Sequence, residues 1–163
     1  MVDRVDRITR HKIMSANRSM DTSPEKEVRN ALFKQGLRFR INVESLPGKP
    51  DIVLSRHRTA IFVHGCFWHG HECNRMPKAK SNTRFWRQKI RHNQERDRRT
   101  IAKLMKGGWR VIVLWECALR RQKTEFAKSP KADWLRRWII GKRKFVDISE
   151  SGVSTFYQVP LPR

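Results

Sequence analysis

Between positions 62 and 73 the chain reads FVHGCFWHGHEC, which places three histidines, two cysteines and the neighbouring aromatics Phe67 and Trp68 within twelve residues. Cys66, His71 and Cys73 follow a C-x4-H-x-C spacing, and the only other cysteine in the chain is Cys117. Thiolate and imidazole are the donors that zinc takes in closed tetrahedral sites. The spacing leaves two readings open: a four-ligand structural zinc site, or buried free thiols beside surface histidines. A site closed by four protein ligands has no position for water, so any hydrolytic chemistry must come from other residues.

The charge says which chemistry to look for. Thirty-seven Lys and Arg stand against 15 Asp and Glu, a formal net charge of +22 spread over the whole chain. Such a field repels itself and binds polyanions, nucleic acid foremost, with a merely solvated basic surface as the other reading. Phosphodiester hydrolysis needs a cation on the phosphoryl oxygen and a base for the water. His64 and His69 are the remaining histidines of the cluster, and imidazole titrates in the range a base needs. Asp51 follows PGKP and opens an apolar run; a carboxylate at a strand end can hold a hard divalent cation, or simply form the turn. Glu25 can hold a cation-bound water, or complement the dipole of a helix whose first turn it occupies. Phe67 and Trp68 lie in a polar, glycine-flanked stretch, and Trp86 stands between arginines at 84 and 87. Apolar wedges flanked by arginine enter base stacks; ordinary packing is the alternative.

The elements that must position these residues follow from periodicity. DTSPEKEVRNALFKQG predicts a helix with Ser23 as N-cap, Pro24 at the first position and Gly36 as the stop. LRFRINV alternates as a strand, and residues 51–54 and 60–63 read as central strands joined by a short turn. A loop is expected after the cluster, then a helix from about 83 to 106 with Phe85, Ile90, Ile101, Leu104 and Met105 as its apolar stripe. WRVIVLWEC is too apolar for a half-exposed strand and implies a sheet covered on both faces. Ser129 and Pro130 open a last helix, whose Trp134, Leu135, Trp138 and Ile139 read as core. One α/β domain with a mixed sheet between helical layers accounts for this order. No apolar run is long enough for a membrane span and the start lacks a secretory core. Three cysteines make no paired disulfide framework, so a reducing, cytoplasmic setting is expected.

Five stretches, MDTSPE, GKPDIVL, AIFVHGCFWHGHEC, FWRQKIRHNQERDRR and GWRVIVLWECAL, together resemble the very short patch repair DNA mismatch endonuclease family over residues 8–140. The resemblance implies a restriction-endonuclease-like α/β/α fold with three layers, a central mixed sheet and a structural zinc site. It implies nicking of one strand 5′ of the thymine in T:G mismatches left by deamination of 5-methylcytosine. It assigns Mg²⁺ to Asp51 and the Val63 backbone carbonyl, and water activation to His69 assisted by His64 and Glu25. Zn²⁺ falls to Cys66, His71, Cys73 and Cys117, and insertion beside the mismatch to Phe67, Trp68 and Trp86. Pro50-Asp51 matches the start of the PD-(D/E)xK signature of the wider nuclease fold, while Phe62-Val63-His64 replaces its E-x-K, a departure the family shares. Gly70 interrupts what is often a longer histidine run. The expected organisation is a DNA-contacting basic arm over 1–21, a catalytic domain over 22–141 and a basic tail over 142–163. Expected partners are duplex DNA with a T:G mismatch and mismatch-repair proteins, met by a monomer without membrane contact. The rival readings are a restriction-type nuclease on matched DNA and a zinc-stabilised DNA-binding module without catalysis.

Overall fold

A computed structural model of the chain describes residues 20–73, 82–120 and 126–155. The arm expected over 1–21 lies almost wholly outside these residues, as does the end of the expected tail. The first described helix, α1 (Ser23–Lys34), is capped by Thr22, one residue earlier than expected. The reason is reciprocity: Glu25 falls three residues after Thr22, so its side chain returns the bond that the Thr22 hydroxyl accepts from the Glu25 N–H. A Ser23 cap would have had Lys26 in that place, which cannot return it.

After α1 come β1 (Arg40–Ile41), β2 (Ile52–Leu54) and β3 (Thr59–His64), paired as an antiparallel meander. LRFRINV yields only the two exposed residues of β1. A short helix, α2 (Cys66–His69), forms within the cluster, in the glycine-flanked stretch that carries Phe67 and Trp68, and the loop expected after the cluster lies outside the described residues. It is followed by α3 (Thr83–Lys106), β4 (Arg110–Trp115), α4 (Glu116–Arg120), α5 (Pro130–Ile140), β5 (Phe145–Ser149) and β6 (Gly152–Ser154). β4 lies parallel to β3 and β5 parallel to β4, and β6 closes the sheet antiparallel to β5, giving a six-stranded mixed sheet in the order β1 to β6.

Alternation along β4 divides the core into two faces. Ile112 and Leu114 join Val28 and Leu32 of α1 and Leu135 and Ile139 of α5 on one side. Val111, Val113 and Trp115 join Ile101 and Leu104 of α3 on the other. The strand expected to be covered on both faces is so covered, and helix, sheet and helix form three layers.

Described residues beyond 142 contribute to the sheet and its core. Val146 and Ile148 of β5 are buried in the first core, and Asp147 is buried on the opposite face. Basic residues at 142, 143 and 144 mask a strand whose own residues, FVDIS, alternate plainly. Ile148→Ala is therefore expected to cost about 2–5 kcal/mol in urea unfolding, as for a core methylene deletion, where an appended tail would show almost none.

Candidate active site and metal centre

The end of β3 carries the site. Its side chains alternate: Val63 packs on the α1 face, while Phe62 and His64 point to the α3 face. Asp51, just before β2, is bound at the edge between them: its Oδ2 accepts the Val63 N–H at 2.8 Å. In an extended strand the N–H and C=O of one residue leave by the same edge, so the Val63 carbonyl faces the side that Asp51 occupies. A carboxylate and a peptide oxygen on one edge are hard donors of the kind magnesium takes. Burial pushes the Asp51 carboxyl up to about 7, and the nearby charge of Glu25 adds to this. The Val63 N–H and the Arg29 guanidinium oppose it without cancelling it. A bound cation would reverse the balance.

Glu25 itself is buried and occupied. Its carboxylate accepts from the Thr22 hydroxyl at 2.8 Å, the Asp21 N–H at 3.1 Å and Arg29 at 2.7 Å. Its effect on Asp51 is therefore through charge, and it stands on the opposite face of the sheet from the histidines.

On the α3 face, His64 and His69 stack with centroids 3.8 Å apart and planes 8° from parallel. His69 Nδ1 lies 2.5 Å from Asp97 Oδ2. Burial alone would raise the Asp97 carboxyl. The bond from His69, with the charge of Arg96, outweighs that and holds it below the ordinary carboxylate range. An ionised Asp97 makes Nδ1 the donor and leaves Nε2 as the position where His69 can take a proton. Burial, with the charge of His69, holds His64 well below the ordinary imidazole range, so it is neutral. Its Nδ1 is buried with no hydrogen-bond partner among the described residues.

Asp97 was missed in the sequence. The buried side of α3 runs through Asn93, Asp97, Ile101 and Leu104, so an acid and an amide occupy core positions at helical spacing, which was the available signal. Asn93 Nδ2 donates to the Trp68 carbonyl at 2.8 Å, which fixes α2 against α3. Gly70 completes the seat. At φ +66° it ends α2, and a Cβ there would lie 2.3 Å from Gln94 Nε2 and 2.5 Å from Ile90 Cγ2.

Phe67, Trp68 and Trp86 converge, with mutual centroid distances of 5.1–5.7 Å and edge-on or tilted rings. All three are half-buried. Phe85, expected in the apolar stripe, is instead 58% exposed, as Met105 is in part. Trp86, two turns before Asn93, is the residue on the buried side, and Phe85 is rotated off it.

Cys66, His71, Cys73 and Cys117 also come together, their ligand atoms all within 4.8 Å of one another. The parallel pairing of β3 with β4 brings Cys117, just beyond β4, beside the residues that follow β3. A hydrogen bond with Cys117 raises the Cys66 thiol and holds Cys117 low, as one proton shared between two sulfurs requires. The Glu150 N–H also donates to Cys117 Sγ at 3.4 Å. Three sulfurs and an imidazole in a buried, pre-gathered group suit a tetrahedral metal centre.

The raised Asp51 sets a sign for stability. Between its unfolded value near 3.8 and about 7 the folded chain binds the extra proton, so Asp51 costs stability as pH rises through that window. In chelator, Asp51→Asn is expected to raise the melting temperature at pH 8 and leave it nearly unchanged at pH 4, with a ceiling of roughly 4 kcal/mol at pH 8. Equal melting of the two proteins at pH 8 would contradict the burial of this acid.

Comparison with known proteins bears on the identity. A family model described as DNA mismatch endonuclease Vsr matches residues 2–75. The DNA mismatch endonuclease Vsr of Escherichia coli K12 is 42% identical over 153 residues, covering 94% of this chain and 97% of that protein. The type II nicking enzyme V.NmeAIP of Neisseria meningitidis is 50% identical over 110 residues, 68% of this chain and 79% of its own. V.XorIIP of Xanthomonas oryzae, also a type II nicking enzyme, is 47% identical over 119 residues, 73% and 88% of the two chains. With an acid at the strand edge, an aspartate-held histidine and a Cys/His centre on one α/β frame, the chain belongs to the DNA mismatch endonuclease Vsr family.

Proposed function

We propose that this chain is a DNA mismatch endonuclease that nicks one strand 5′ of the thymine in T:G mismatches arising from 5-methylcytosine deamination, initiating very short patch repair. The observation that carries the proposal is the pairing of His69 with Asp97 at 2.5 Å, stacked on His64 one residue beyond the peptide that binds Asp51. Through Val63 and His64, adjacent at the end of β3, the Asp51 carboxylate and the His69 ring are brought to one end of the sheet. The basic surface supplies affinity for the duplex.

In this reading Asp51 and the Val63 carbonyl hold Mg²⁺, which when bound supplies charge neutralisation at the scissile phosphate and its leaving oxygen. His69 takes the proton from the attacking water at Nε2, and Asp97 fixes the tautomer that leaves Nε2 open. His64, neutral and stacked, walls the other side of the ring. Glu25 keeps the potential around Asp51 negative while Arg29 holds its carboxylate in place. Phe67, Trp68 and Trp86 insert together as one aromatic wedge, and a mispaired step opens at lower cost than a matched one. The Cys66, His71, Cys73 and Cys117 centre holds structural Zn²⁺. A helix, an antiparallel meander and a parallel crossover, with the site at the end of β3, fit a restriction-endonuclease-like fold. Among the described residues no helix is long and apolar enough to cross a membrane, and we place the enzyme in the cytoplasm with its DNA substrate.

Two variants separate chemistry from binding. Asp51→Ala is expected to abolish nicking, and Asp97→Asn to lower kcat by about 10²–10⁴-fold, with affinity for a T:G duplex within about twofold of wild type. Nicking at the wild-type rate by either variant would overturn the assignment.

A further inference from the structure

Trp115 stands between the Cys/His group and the stacked histidine pair and touches both. Its ring stacks on His71 of the Cys/His centre, with centroids 4.4 Å apart and planes at 19°. It meets His64 edge-on at 5.3 Å and His69 at 6.4 Å, both at 71°. The indole N–H donates to Asp147 Oδ1 at 2.6 Å, and neither residue is more than 1% exposed. A phenyl ring would bury similar area without requiring an acid in the core. What the indole adds is a fixed rotation of the ring, since its one polar atom is tied to β5.

We propose that Trp115, oriented by Asp147, is a positioning residue that couples the Cys66, His71, Cys73 and Cys117 centre to the catalytic histidines. The contacts form an unbroken series: His71 stacked on Trp115, Trp115 crossed at 71° with His64, and His69 stacked on His64 and held by Asp97. Movement of His71 tilts the indole, and the indole sets where the stacked pair can sit. The inference rests on reading His64 and His69 as the catalytic pair, and it gives the metal centre a role in catalysis beyond joining two loops. It also gives β5, outside the stretch first expected to form the catalytic domain, a part in aligning the site.

The test is a double-mutant cycle on the full chain with two readouts, kcat on a T:G duplex and the ring nitrogen resonances of His64 and His69, taken below the melting temperature of each variant. Trp115→Phe and Asp147→Ala are each expected to lower kcat about tenfold with duplex affinity unchanged. The double variant falls no further, because both changes remove one hydrogen bond. The ring resonances move in all three. Wild-type kcat in the single variants, multiplying losses in the double, or ring resonances at wild-type positions would each overturn the coupling. A second arm needs no substitution: Cd²⁺ is exchanged for Zn²⁺ in the wild-type chain, and its longer bonds displace His71. The His64 and His69 resonances are expected to move, and unmoved resonances contradict the proposal. Wild-type nicking is run beside every variant; its absence overturns the functional reading, whereas additive losses against an active wild type overturn the coupling alone.

Discussion

The parallel pairing of β3 with β4 sets His64 opposite Trp115, and most of the site is a consequence of that register. It carries Cys117 to the thiols and imidazole that follow β3, and it lays the indole across the histidines. A parallel pair needs a crossover, and here the crossover is α3, which returns with Asp97 and Asn93 on its inner side. A slip of one residue would turn His64 to the α1 face and scatter both clusters. Covering the sheet on both faces resists such a slip, because every residue of β4 after Arg110 is buried.

Around this register the site keeps charged groups out of water, which is costly unless they are paired. Asp97 is matched by His69, and its acidity is preserved. Asp51 receives one peptide N–H and keeps a proton that an exposed aspartate would lose. The two acids thus differ in state: Asp97 is held ionised beside an imidazole, while Asp51 keeps its proton to higher pH. Such a separation of two acids by their surroundings is what a hydrolytic centre needs at neutral pH. Its cost falls on stability as the buried Asp51 ionises, an ordinary trade at functional sites.

Much of the frame was legible in the sequence. Pro24 and Gly36 bracket the first helix, Gly107 ends the longest one, and β4 stands out as an unbroken apolar run. The Cys and His residues that the fold gathers could be grouped from residue type alone, although the spacing did not separate candidate ligands from free thiols. What could not be read depends on contacts between distant segments. Asp97 looks like one more surface charge in a helix crowded with arginine until the helix is docked. Phe85 and Trp86 are adjacent, and composition does not say which one turns inward. Residues at β5 follow a run of cations and read as tail, because burial of FVDIS is decided by the neighbouring β4. The residues joining the two clusters, Trp115 and Asp147, are separated by 32 positions and meet only across the sheet.

Strand-resolved cleavage of end-labelled duplexes tests the central claim most directly. The wild-type chain is incubated with otherwise identical T:G, T:A and C:G duplexes placed in methylation-site contexts, with Mg²⁺ or with chelator. A single nick is expected 5′ of the mispaired thymine, on the thymine strand alone, only in the T:G duplex and only with Mg²⁺. Equal cutting of the matched duplexes, or an intact T:G duplex in the presence of Mg²⁺ across all contexts, would contradict it.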